Sequence, residues 1–422
     1  MAAVNFGSPW WWGTGERVRV RVRVRKCVNV LLCLVAVAGA GWSGPVLWDE
    51  WRTYRAVGAG CADLVPVGEV RGMDHASTVL RNRASLDLDA LPSDCLIQNA
   101  GEDGDAYGAL LFQARVDAGP GSGRDVIVSE PGSELAERFA RADVPIGDGA
   151  SGLAGPSEAT VRLNCSDGTY RGRAVERIEV TASAAYTGTP PYYPKPATSG
   201  DRDRMASVAV TAANRLADRL GCSDRLPEPS ADLPPVPEFT AAGRADGTCA
   251  WYARTEWFPD EQLWLPDEAM GAPADAHAWR ERCALRLSTD RARTLFDAAY
   301  AGTEGVDEGD APTGDRDEAW WADVQTFYDQ DTPDVFVGDT GSHKATDSPI
   351  EPGTAGRHED TGLWWASSVC DGSPAVHVLR LHYGYDSWSA RAAPHLMQLF
   401  RGYVTDVAAR RSCTDLKFPG MD

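Results

Sequence analysis

The sequence predicts an α+β protein: an N-terminal transmembrane helix followed by two duplicated disulfide-containing modules, each an antiparallel sheet with a packed closing helix. Three observations predict it. Residues 27–48 contain no charged side chain. Two cysteine pairs, Cys61/Cys95 and Cys249/Cys283, share one spacing of 34 residues. In each half a β-rich run is followed by an amphipathic run that ends on a cysteine.

Residues 1–26 read as a basic cytoplasmic tail. Six cations (Arg17, Arg19, Arg21, Arg23, Arg25 and Lys26) stand against one acid, Glu16. They hold the N-terminus on the cytoplasmic side and attract anionic lipid over the run 17–26, at about 1 kcal/mol per basic residue near the surface. The next stretch, CVNVLLCLVAVAGAGWSGPVLW, covers residues 27–48. At about 1.5 Å per residue it reaches about 33 Å, enough to cross a bilayer core. Trp42, Trp48 and Trp51 fall where the outer interfacial belt belongs. The expected location is the cell membrane, single-pass, with the C-terminus extracellular. A cleavable signal peptide is the competing reading, since Ala38-Gly39-Ala40 resembles a cleavage site. Retention is preferred because the uncharged run continues eight residues beyond Ala40. A lipoprotein anchor at Cys61 is rejected, because Gly58 stands where an aliphatic residue is required.

Six of the 41 basic residues and one of the 61 acids lie in residues 1–48, which leaves 35 basic and 60 acidic groups beyond. That balance of −25 repels polyanions, so no nucleic-acid partner is expected. The expected partners are the bilayer through residues 27–48 and a cell-wall or membrane-protein component outside it.

The remaining eight cysteines are Cys61, Cys95, Cys165, Cys222, Cys249, Cys283, Cys370 and Cys413. An even number in an exported segment predicts disulfides, intramodular by preference, with the connectivity left open. VRLNCSDG (161–168) parallels ASSVCDGS (366–373), and AVERIEVTA (174–182) parallels AVHVLRLHY (375–383). MASVAVTAANRLADRLGC (205–222) then parallels HLMQLFRGYVTDVAARRSC (395–413), each with one apolar face. Module 1 is placed at 55–225 and module 2 at 245–418, joined by a Pro-rich linker over 226–244. A loop is expected around 331–360.

Chemistry-bearing motifs are sparse. Asp339-Thr340-Gly341-Ser342 has the local form of an aspartic-protease turn. Its preceding residue is Gly338 instead of an aliphatic, and no second copy is evident in module 1, so a polar surface turn is the preferred reading. His377 and His382 lie on or beside one strand, five residues apart, and so face opposite sides. No G-x-S-x-G, S-x-x-K, H-E-x-x-H or phosphate-binding glycine loop occurs. No cofactor and no metal site is expected. The adjacent pairs Trp320-Trp321 and Trp364-Trp365 offer a candidate surface for stacking on sugars or peptides.

The ANRLADRLGC helix and the later G-T-C-A-W-Y (247–252), with the anchor-plus-ectodomain layout, resemble uncharacterised single-pass membrane proteins of high-GC Gram-positive bacteria. That resemblance implies no activity and no site residues. The expected function is therefore a non-enzymatic envelope binding or interaction protein. The rival expectation is a cell-envelope hydrolase with its site in module 2.

Overall fold

The computed structural model of the chain describes residues 28–33, 47–77, 79–99, 108–118, 126–129, 142–184, 197–255, 265–300, 321–329, 332, 335–338, 350–358, 363–381 and 386–420. It separates into two compact units, residues 1–55 and 56–422.

In the first unit, residues 28–33 and 47–55 are helical. The other positions of the expected span 27–48 lie outside the described residues, as does the basic run before it. No helix among the described residues is long and apolar enough to cross a membrane. The large apolar side chains exposed among the described residues are nevertheless all here: Val28, Val30, Leu31, Leu32, Leu47, Trp48, Trp51 and Tyr54. The Trp48 and Trp51 rings stack at 5.0 Å, and the Arg55 guanidinium lies over Trp51.

The second unit opens on a helical turn over 56–60, then α1 (Val67–Gly72). Next come β1 (Leu80–Ala84), β2 (Ser93–Asn99), β3 (Gly108–Asp117), β4 (Val126–Ser129), β5 (Val144–Pro145), β6 (Gly152–Ala154) and β7 (Glu158–Asn164). A small hairpin, β8 (Thr169–Tyr170) and β9 (Arg173–Ala174), precedes β10 (Arg177–Ser183) and α2 (Ser199–Leu220). Seven strands form an antiparallel sheet in the order β1-β2-β3-β10-β7-β6-β5. Alternation in β10 sends Ile178, Val180 and Ala182 into the core with Met205, Ala209 and Leu216 of α2. Each large aliphatic buried there stabilises the fold by about 1.5–3 kcal/mol. Thr198 Oγ1 caps the start of α2 by accepting from Asp201 N–H, and Gly221, at φ 80°, ends it in the left-handed region.

The second half holds β11 (Thr240–Ala241), α3 (Ala250–Ala253), β12 (Glu268–Gly271), β13 (Arg280–Arg286), α4 (Thr289–Tyr300) and β14 (Trp321–Tyr328). It continues through β15 (Val335–Gly338), β16 (Gly356–His358), β17 (Leu363–Cys370), β18 (Ser373–Leu381), α5 (Asp386–Arg410) and β19 (Thr414–Lys417). Its antiparallel sheet runs β11-β12-β13-β14-β18-β17-β16, with β19 added on β17. The expected loop at 331–360 is thus interrupted by β15 and β16.

Four disulfides link Cys61–Cys95, Cys165–Cys222, Cys249–Cys283 and Cys370–Cys413. Backbone register runs alike in the two halves. Cys95 pairs with Phe112, Phe112 with Ala182 and Ala182 with Ala159, six residues before Cys165. Cys283 pairs with Val324, Val324 with Leu379 and Leu379 with Trp364, again six before Cys370. The four central strands of the two sheets are therefore in the same register relative to their cysteines.

The halves are joined by more than the proline-rich connector. Met270, Ala272 and Ala284 of the second half sit in the buried cluster of the first. Arg162 lies 4.4 Å over the Trp279 ring, and Arg280 pairs with Asp143 at 2.5 Å. The connector is itself pinned, by Asn214 to both backbone groups of Leu226 and by Asp203 to Leu233 N–H. β4 and β15 pair in parallel, Val126 with Val335 through Ser129 with Gly338.

Candidate functional site

The residues that could carry chemistry in the second half meet on the helix side of its sheet. In the β14, β17 and β18 ladder, alternation points Thr326, Ser368 and His377 toward α5, where Tyr403 projects back. His377 Nε2 lies 2.8 Å from Ser368 Oγ and Nδ1 2.8 Å from Thr326 Oγ1. Thr326 Oγ1 is 2.9 Å from Tyr403 OH, and Ser368 Oγ is 3.2 Å from Cys370 Sγ.

Direction follows from the sulfur. A disulfide sulfur carries no proton, so Ser368 donates to it. Ser368 then accepts from His377 Nε2–H, which leaves Nδ1 to accept from Thr326, and Thr326 to accept from Tyr403. Each link then has one donor and one acceptor. His377 is fully buried, and desolvation lowers its pKa to about 3, so the imidazole is neutral near pH 7. Burial likewise pushes the Tyr403 phenol well above its usual range.

A serine on a histidine has the outline of a hydrolytic pair, but this one lacks the working parts. His377 and Thr326 have no exposed surface and Ser368 is 4% exposed. The far nitrogen meets a threonine, not a carboxylate. A base held neutral down to about pH 3 has too little affinity for the proton it would need to take.

The register identifies the counterparts of these four residues. Counting along the ladders and back from Cys222 and Cys413, Thr326 matches Ala114, His377 matches Val180, Ser368 matches Leu163 and Tyr403 matches Ala212. All four counterparts are buried and apolar. The fold is thus built once without this polar chain and once with it.

On the opposite face of the second sheet, Asp323 accepts from Arg282 at 2.7 Å and Arg380 at 2.9 Å. Arg380 is 2% exposed and its pKa falls to about 10, chiefly by desolvation, so it stays cationic at neutral pH. The first half has its own histidine cluster. His75 Nδ1 lies 2.9 Å from Asp201 Oδ2, and Nε2 lies 2.9 Å from the Ala109 carbonyl. Asp201 also accepts from Asp74 N–H, fastening α1's exit to the first turn of α2. Near its edge, the first sheet carries a shallow cleft of about 250 Å³ lined by Ser93, Asp94, Gln113, Arg115, Glu179 and Thr181.

The tryptophan surface resolves into packing where it is described. Trp364 is 3% exposed in the helix-side core. Trp365, on the other face, is half-buried, with its Nε1 donating to Thr354 and the Gly356 backbone against its ring. Adjacent residues on a strand face opposite ways, and here one tryptophan is buried and the other partly exposed. Trp320 lies outside the described residues, and Trp321 is described only as the backbone partner of Arg286. The Asp339–Ser342 turn, His343 and His382 also lie outside them. In sequence, E-P-G-S at 130–133 follows β4 as D-T-G-S at 339–342 follows β15, a correspondence that only the strand pairing exposes.

Among the described residues no group of three or more His, Cys, Asp or Glu side chains could hold a metal ion. No protein-family model, curated protein or solved structure matches the chain.

Proposed function

We propose that the chain is a membrane-anchored extracytoplasmic protein whose disulfide-linked body serves as a non-enzymatic binding or interaction scaffold of the cell envelope. The observation that carries the reading is a division of surface. The exposed large apolar side chains of the described residues lie between 28 and 54, whereas the body after residue 56 buries its own in three clusters beside four disulfides. An apolar segment left uncovered suits a bilayer, and a disulfide framework suits an oxidising compartment. The shallow polar cleft on the first sheet suits an extended polar ligand, such as a wall peptide or glycan, better than a compact apolar one. The hydrolase reading loses its most direct support with the sealed Ser368–His377 pair.

Protease shaving of intact cells carrying a C-terminally tagged full-length chain tests the topology. The expected result is a tag that sediments with membranes and is removed by external protease. A tag that remains in the soluble fraction, or is protected until lysis, would overturn the proposal.

A further inference from the structure

We propose that Cys370–Cys413 is a thiol–disulfide exchange site, opened by a dithiol that attacks the Cys413 sulfur while Ser368 hydrogen-bonds the departing sulfur of Cys370. Three features mark this bridge: access separates it from the other three, and cover and a hydroxyl donor separate it from its counterpart, Cys165–Cys222.

The first is access. Cys61, Cys95, Cys165, Cys249 and Cys283 have no exposed surface and Cys222 only 3%, but Cys413 is half-buried. The second is cover. At the matching bridge, the chain turns back over the sulfurs, so that a Cβ on Gly168 would fall 2.4 Å from Cys165 Sγ and 2.7 Å from Cys222 Sγ. In the second half, a two-residue turn, Asp371-Gly372, replaces that excursion, and the space about Gly372 is open. The third is the donor. Ser368 Oγ stands 3.2 Å from Cys370 Sγ, whereas the register puts Leu163 at the matching place beside Cys165. The polar chain that runs from Tyr403 through Thr326 and His377 ends on this hydroxyl and orients its proton toward sulfur.

The chemistry closes without further reagents. A thiolate of the dithiol attacks Cys413 Sγ; a new S–S bond forms as the Cys370–Cys413 bond breaks. The bond pair passes to Cys370, whose thiolate accepts the Ser368 hydrogen bond and then takes a proton from solvent. The second thiolate of the dithiol attacks its own sulfur in the mixed disulfide and releases Cys413 as thiolate, which is protonated in turn. Two electrons move from the dithiol, which leaves as a disulfide, to the protein. Ser368 touches the reacting sulfur; His377, Thr326 and Tyr403 are positioning residues.

The test exposes the oxidised full-length protein to excess dithiothreitol for graded times, traps thiols with N-ethylmaleimide and reads each cysteine by mass spectrometry. Cys370 and Cys413 are expected to label first, with the other three bridges still closed. In Ser368→Ala and in Ser368→Leu, the residue of the first half, the rate constant for reducing this bridge should fall about tenfold, the worth of one hydrogen bond to the charged sulfur as it departs. Melting curves of the oxidised variants verify that they fold. Another bridge opening first, all four opening together, or folded Ser368 variants reducing like the wild type would overturn the proposal.

Discussion

His377 has its pKa lowered to about 3 by burial, against about 6.5 in an unfolded chain. The unfolded state therefore binds the proton more readily. Its contribution to stability is complete above about pH 6.5 and is lost as pH falls from there toward 3, with a limiting slope of about 1.4 kcal/mol per pH unit. Between pH 6.5 and 5, the wild type is expected to lose about 1.5 kcal/mol more than His377→Val, measured by urea unfolding across that range. At pH 7 the same substitution should cost about 1–3 kcal/mol, because it strips the Thr326 and Ser368 hydroxyls of a buried partner. Asp323 offers a second residue-scale test. Asp323→Ala removes the buried carboxylate that accepts from both Arg282 and Arg380, at an expected cost of about 3–5 kcal/mol in chemical denaturation.

At the scale of elements, the two closing helices differ most clearly in how they stop. α2 ends at Gly221, φ 80°, and the position matching it after α5 is Ser412, φ 49°. A side chain in the left-handed region costs about 1–2 kcal/mol. Ser412→Gly should therefore stabilise the protein by about 1 kcal/mol, net of the added backbone freedom of glycine, and raise its Tm. The start of α2 depends on Thr198, which accepts from Asp201 N–H and donates to Asp74. Thr198→Ala should lower stability by about 1 kcal/mol in the same melting experiment.

For the whole molecule, the shared burial of Met270, Ala272 and Ala284 with the first core makes residues 56–422 one energetic unit. Cutting the chain between its halves exposes that apolar contact and the facing edges of β4 and β15. Each half produced alone is expected to unfold at a lower urea concentration than the intact unit, and mixing the two should raise both midpoints. Independent halves with unchanged midpoints would show that the shared contacts contribute little.

Local chemistry was legible in the sequence. The apolar faces of α2 and α5 and the β-branched runs of β10 and β18 depend on residues a few positions apart, and a helix or strand writes its period into them; the cysteines showed by their repeated spacing of 34 residues. The candidate site was not legible, because it is made across strands. Ser368 reaches His377 only through the β17–β18 register, and Thr326 reaches His377 from a strand 51 positions earlier. How far a tryptophan on a strand is exposed is equally a matter of neighbouring strands, since Gly356 on β16 lies against the Trp365 ring. The sequence by itself determined the two closing helices, the oxidised framework of eight cysteines and the uncharged run at 27–48. The tertiary structure alone decided which cysteines pair, that three side chains of the second half join the core of the first, and that one disulfide out of two equivalents is partly exposed at one end and beside a serine at the other. Periodicity is set along the chain; pairing, burial and the company a sulfur keeps are set by strands distant in sequence.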